Sequence, residues 1–255
     1  MLAGSLVVAR KELLDHFRDT RALLSNGLYT LMGPALVALL ATSTQLGGTQ
    51  GAVMASVFVL VAAFTGGMTV ATDMLAGERE RRSLLPLILS SPSVNALLVG
   101  KWLAAWVFAT LSSVIAAMAF AMLLRVVTQG AFQLSSLLWI IPALAILTAL
   151  AVSLQILLSA LSRNVKESTA YASVLSFAAM GVAMWLAFRP VAGSSSLWPM
   201  LPVAGHQRLF LAGFTGQDPS VTAALISAAT SAAIAIIVLA FAARLFRRNV
   251  VNYGK

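Results

Sequence analysis

The chain has 255 residues, of which 60% are hydrophobic and 10% charged, and its mean hydropathy is +0.92. Soluble domains carry about 25% charged residues, so a water-soluble domain is excluded and a polytopic membrane protein is implied. There is no cysteine, which excludes disulfides and thiolate metal sites.

Residues 1–21 read as an amphipathic helix lying at a membrane interface. Leu2, Leu6, Ala9, Leu13 and Phe17 recur at spacings of three or four, while Lys11, Asp15, Arg18 and Asp19 fall opposite. The charges within 10–21 and the long apolar run behind them do not fit a cleaved signal sequence. The helix serves either as a plain anchor or as a brace for a partner.

A helix crossing the hydrocarbon core needs about 20 mostly apolar residues. Six runs meet this length: 22–41, 52–72, 102–124, 136–161, 168–188 and 220–243. No charge occurs anywhere in 22–72 or in 102–124. Backbone groups in lipid must be satisfied internally, so helices are expected, and the runs lack the alternation of a barrel. The fold class is therefore an all-α membrane protein with six transmembrane helices behind an interfacial elbow helix. It forms a single membrane domain over 1–255. Residues 42–51 read as a polar turn. Pro34 and Pro142 fall inside the first and fourth spans, where they are expected to kink them. Residues 189–219, with four prolines, Trp198 and His206, read as an outer loop containing short helices.

The basic residues orient the chain. With both termini cytoplasmic, the inside holds Arg10, Lys11, Arg18, Arg21, Arg79, Arg81, Arg82, Lys101, Arg163, Lys166, Arg244, Arg247, Arg248 and Lys255. The outside keeps only Arg125, Arg189 and Arg208. Fourteen against three is a strong positive-inside bias. The net charge of +9 is thereby assigned to topology and anionic headgroups, and nucleic acid is not expected as a partner.

Catalytic and metal motifs are missing. There is no G-x-x-x-x-G-K-[ST] phosphate loop and no H-E-x-x-H zinc motif. His16 and His206 lie on opposite sides of the membrane in this topology. Gly193–Ser196 near His206 lacks a G-x-S-x-G elbow. No catalytic residue, metal ligand or cofactor site is assigned.

The segment 77–99 stands apart. "GERERR" concentrates Glu78, Arg79, Glu80, Arg81 and Arg82 in a cytoplasmic loop between spans two and three. On a helix Glu78 can pair with Arg81 or Arg82. The following "LLPLIL" supplies Leu84, Leu87 and Ile88, apolar residues that nothing in the chain obviously covers. Charge around an apolar patch suits a docking site for a soluble partner. Ser93, after Pro92, is placed to cap the next helix. Within the spans, Asp73, Thr148 and Gln155 are the candidate pathway residues. Asp73 can also be hydrated or paired with Arg79, and Gln155 can serve as a helix–helix hydrogen bond.

The stretches "ARKELLDHFRDTRALL" (9–24), "ATDMLAGERERRSLLPLILSSPS…LLVGKWLA" (71–104) and "ARLFRRNVVNYGK" (243–255) resemble the permease subunits of type-2 ABC exporters, closest to the NatB-like sodium-exporter branch. That branch carries a large outer domain between spans one and two, where this chain has a short link, and often an acidic residue where this chain has Leu85. The resemblance implies an exporter permease in the cell membrane, paired with a second or homologous copy. It implies two copies of an ATPase subunit carrying ATP and Mg²⁺, with the loop after Glu78 as the coupling helix. The permease itself is then not an enzyme. A secondary transporter, or a membrane-embedded hydrolase or scaffold without an ATPase, is the alternative.

Overall fold

The computed structural model describes residues 2–44, 48–82, 93–129, 132–188, 197–217 and 219–253. Nine α-helices occur among them: α1 (Leu2–Arg18), α2 (Thr20–Thr44), α3 (Gly48–Thr65), α4 (Met68–Glu80), α5 (Val94–Val127), α6 (Leu137–Leu161), α7 (Val165–Ala187), α8 (Pro202–Thr215) and α9 (Val221–Tyr253). Six segments of the described residues are long and apolar enough to cross a membrane, namely Leu23–Leu40, Gly48–Glu80, Val94–Val127, Leu134–Leu161, Val165–Ala187 and Val221–Arg248. They match the six charge-free runs. Pro34 and Pro142 lie inside α2 and α6, and residues 197–217 contain α8 behind a short turn at Trp198–Met200.

The first link is shorter than the sequence suggests. Helix α2 continues through Thr44 and α3 begins at Gly48, so much of 42–51 is helical. Of residues 77–99, 77–80 complete α4 and 94–99 open α5. Ser93 caps α5, its hydroxyl accepting from the Ala96 amide at 3.1 Å.

Two apolar layers stack along the bundle. One joins α3, the later half of α5, the start of α6, α7 and α8 around Phe64, Phe120, Leu144 and Phe210. The other joins α4, the start of α5, the end of α6 and the end of α9 around Leu75, Leu97, Ile156 and Phe246. The outward faces of α2 and α9 carry exposed Leu28, Leu39, Ile236 and Ile237, as helices facing lipid require.

The second span is broken at Gly66–Gly67, between α3 and α4. Both glycines serve close packing. A Cβ at Gly67 would stand 2.6 Å from the Ala109 Cβ, and one at Gly66 would stand 2.8 Å from the Ser112 Cβ. A broken ladder in hydrocarbon leaves carbonyls that need partners. Gln155 Nε2 donates to the Phe64 carbonyl at 2.5 Å, and Asn26 Nδ2 donates to the Gly66 carbonyl at 2.6 Å. Side chains from α6 and α2 therefore satisfy the break from both sides.

Helix α1 shares its sides between the bundle and the outside. Ser5, Ala9 and Glu12 are buried, whereas Leu6, Val7, Leu14 and Phe17 are exposed. The buried face lies against α5, where a Cβ at Gly100 would meet the Ser5 carbonyl at 2.7 Å. The approach depends on the missing side chain at position 100, because the Val8 Cβ would stand only 2.6 Å from a Cβ there. Larger apolar residues, Leu6, Leu14 and Phe17 among them, are exposed on the other sides of the helix.

Candidate functional site

The charged stretch forms a set of fasteners at one end of the bundle. Lys101, on α5, is 1% exposed. Its Nζ donates to Glu12 Oε1 on α1 at 2.9 Å and to Glu78 Oε1 on α4 at 3.3 Å. A buried ammonium needs such partners, because desolvation of an unpaired charge costs several kcal/mol. Lys11 stands 3.8 Å from Glu12 and 3.5 Å from Asp15, which offsets the negative excess of the triad. Glu78 therefore reaches across two helices, a longer-range pairing than local spacing suggests.

The next residues grip helix ends. The Arg79 guanidinium donates to the carbonyls of Ser162 and Ala160, the latter at 3.1 Å. These are among the last carbonyls of α6, where the helix dipole favours a cation. Glu80 Oε2 accepts from the Val165 amide at 3.1 Å, at the start of α7, where the dipole favours an anion. Asn164 caps the same helix through the Glu167 amide at 2.9 Å, and Glu167 accepts from the Arg163 amide at 2.8 Å, a reciprocal capping arrangement. Between these contacts, Ser159 donates to the Thr72 carbonyl at 2.8 Å and accepts from the Ala76 amide at 3.0 Å. The end of α4 is thus joined to α1, α5, α6 and α7.

Asp73 pairs with Arg81 at 3.0 and 3.1 Å, not with Arg79 as its spacing allowed. That hydrogen bond, reinforced by the nearby carboxylate charge, holds the Arg81 guanidinium above its ordinary pKa. Burial holds the His16 imidazole on α1 below its ordinary value, despite the opposing pull of Glu12 and Asp73. Arg82 has φ 55°, a left-handed conformation uncommon for a residue with a side chain, and it ends the helix. Leu84, Leu87 and Ile88 lie outside the described residues.

Two of the three pathway candidates are committed to helix packing. Thr148 is fully buried and shares a 2.8 Å hydrogen bond with Thr110 on α5. Gln155 holds the α3–α4 break. Neither they nor Asp73 line a cavity of about 310 Å³ that lies between α2, the α3–α4 break and α7. Asn26, Thr30, Phe58, Thr69, Ser176 and Phe177 line it without any charged side chain. Asn26 Oδ1 and Thr30 Oγ1 are buried and lack hydrogen-bond partners. The signal in the sequence was the spacing of small polar residues within spans, Asn26 to Thr30 and Ser173 to Ser176, which is weaker to the eye than a charge.

At the opposite end, His206 is fully buried, bonded through Nδ1 to the Pro202 carbonyl at 2.7 Å, and burial lowers its pKa. Gln207 beside it donates to Ser56 at 2.9 Å. Gly193–Ser196 lie outside the described residues. Among the described residues no cluster of metal-binding side chains occurs.

A model of the ABC-2 family transporter proteins matches residues 6–250. The chain belongs to that family. It is a membrane permease subunit of an ABC transporter. The ABC transporter permease protein NatB of Bacillus subtilis (strain 168) is 36% identical to this ABC-2 permease over 127 residues, covering 47% of this chain and 33% of NatB. The match thus covers about a third of the length of that relative. The six-span architecture and the membrane location follow from the family and the fold together.

Proposed function

We propose that this permease exports its cargo as a pair of membrane subunits, coupled to two separate ATPase subunits through the segment after Arg82. The termini and this segment lie in the cytoplasm, and ATP and Mg²⁺ are held by the ATPases. The observation that carries the reading is the fastening of α4 to α1, α5, α6 and α7 through Glu78, Arg79, Glu80 and Lys101. A push delivered to residues 83–92 would act on four helices at once. Leu84, Leu87 and Ile88 are the apolar contacts in this reading, with Arg82 at their rim.

The uncharged cavity beside α2 and α7 supports a cargo with apolar surface and a hydrogen-bonding group over a bare cation. Asp73, Thr148 and Gln155 then support the helices around the pathway. An adjacent reading frame with a P-loop ATPase is the expected genetic context. The purified chain alone is expected to show no ATP turnover. Its neighbouring ATPase should show turnover that changes when the two are reconstituted together. Robust hydrolysis by the isolated chain, or indifference of the ATPase to it, would count against the proposal.

The orientation has its own test. The absence of cysteine makes introduced cysteines the sole targets for a thiol reagent. Cysteine at exposed Gln133 is expected to react in intact cells with an impermeant reagent. Cysteine at exposed Arg163 should react only after permeabilisation. The reverse pattern would invert the topology.

A further inference from the structure

We propose that the cleft between the start of α5 and the end of α9 binds an anionic glycerophospholipid. The cleft holds about 480 Å³. Leu98 and Val99 form one apolar wall, and Leu239, Ala240 and Ala243 form the other. Its polar edge carries Asn95, Arg244 and Arg247. The two arginines are one helical turn apart and both are exposed. No ion pair joins either to a carboxylate among the described residues.

Lipid is the occupant that the dimensions and charge favour. From Ile236 to Arg247 the cleft follows α9 for roughly 16 Å at 1.5 Å per residue. That is about half of a hydrocarbon core of ~30 Å, or one leaflet. The arginines therefore stand at headgroup depth while the apolar walls run alongside acyl chain. Guanidinium groups bind phosphate oxygens in a fixed fork, and Asn95 offers an amide donor beside them. The first turn of α5 also presents its dipole's positive end at this edge. Small residues at 240 and 243 leave the space that larger side chains on lipid-facing α9 would fill. The inference depends on membrane embedding, and it stands or falls independently of ATPase coupling.

The test uses the full chain in detergent, supplied with phosphatidylglycerol or phosphatidylcholine of identical acyl chains, with bound lipid counted by native mass spectrometry. Wild type is expected to retain phosphatidylglycerol about tenfold better than phosphatidylcholine. Arg244→Gln/Arg247→Gln should reduce retention to the phosphatidylcholine level. Ala240→Phe, at an exposed position within the cleft, should lower retention of both lipids while leaving the arginines in place. Soluble glycerophosphoglycerol and inorganic phosphate should not compete at concentrations equal to the lipid. Unchanged phosphatidylglycerol retention in either variant would overturn the proposal. Equal competition by the soluble phosphates would replace it with a free-anion site. If the double arginine variant fails to elute as a monodisperse species, the outcome for Ala240→Phe decides.

Discussion

Lys101→Met is expected to be the most destabilising single substitution at the charged end of the bundle. The ammonium is 1% exposed and bridges Glu12 at 2.9 Å and Glu78 at 3.3 Å. Removing it leaves two largely buried carboxylates facing one another. Breaking a buried pair in this way costs about 3–5 kcal/mol. The variant should show a markedly lower thermal transition in detergent and reduced yield in membranes. Glu12→Gln/Glu78→Gln in the same background should recover much of the loss, because it removes the repulsion between the two carboxylates. Added salt should have little effect, since buried pairs are poorly screened. Asp73→Asn provides the contrast. Its pair with Arg81 is partly exposed, with side-chain exposures of 35% and 56%, and such pairs contribute about 0–1 kcal/mol. A Lys101→Met protein as stable as wild type would remove the fastening role from the triad.

The six spans and the family were legible because both rest on local pattern. Charge-free runs such as 102–124 fix the spans, and the "GERERR" run with its flanks carries the resemblance. Long-range pairings were not legible. Nothing near Lys101 in sequence shows that it joins Glu12 and Glu78, which are 89 and 23 residues away. Gln155 could be read either as a pathway residue or as a helix–helix hydrogen bond, and the sequence did not show its partner. Its role appears only with the helix break it satisfies, at the Phe64 carbonyl. That break was hidden because Gly66 and Gly67 lie inside an uninterrupted apolar run. On α1 the amphipathic pattern suggested an apolar face toward the membrane, and it did not show that Ser5, Ala9 and Glu12 would be the buried side, packed beside Gly100. Sequence periodicity reports where apolar side chains gather. It does not report which face can come within backbone distance of a neighbour.

The second large effect is expected from Leu87→Asp/Ile88→Asp. In the proposed coupling, these side chains fill an apolar groove on the ATPase while Arg82 sits at the rim. Binding energy in protein interfaces concentrates in such buried anchors. Two carboxylates in an apolar groove should lower association by at least about tenfold, equivalent to roughly 1.4 kcal/mol. Both positions lie outside the six apolar runs of the sequence, so membrane insertion should survive. Arg82→Ala should weaken association less and with a stronger dependence on salt, as rim charges do.

The most direct measurement is therefore co-purification of the neighbouring ATPase with tagged permease from detergent, for wild type and the Leu87→Asp/Ile88→Asp variant at matched membrane expression. The coupling account predicts that wild type retains the ATPase and that the double variant loses it while remaining inserted and monodisperse. Retention of the ATPase at wild-type yield by the double variant would contradict the account, leaving residues 83–92 as a solvated loop whose charge only orients the chain.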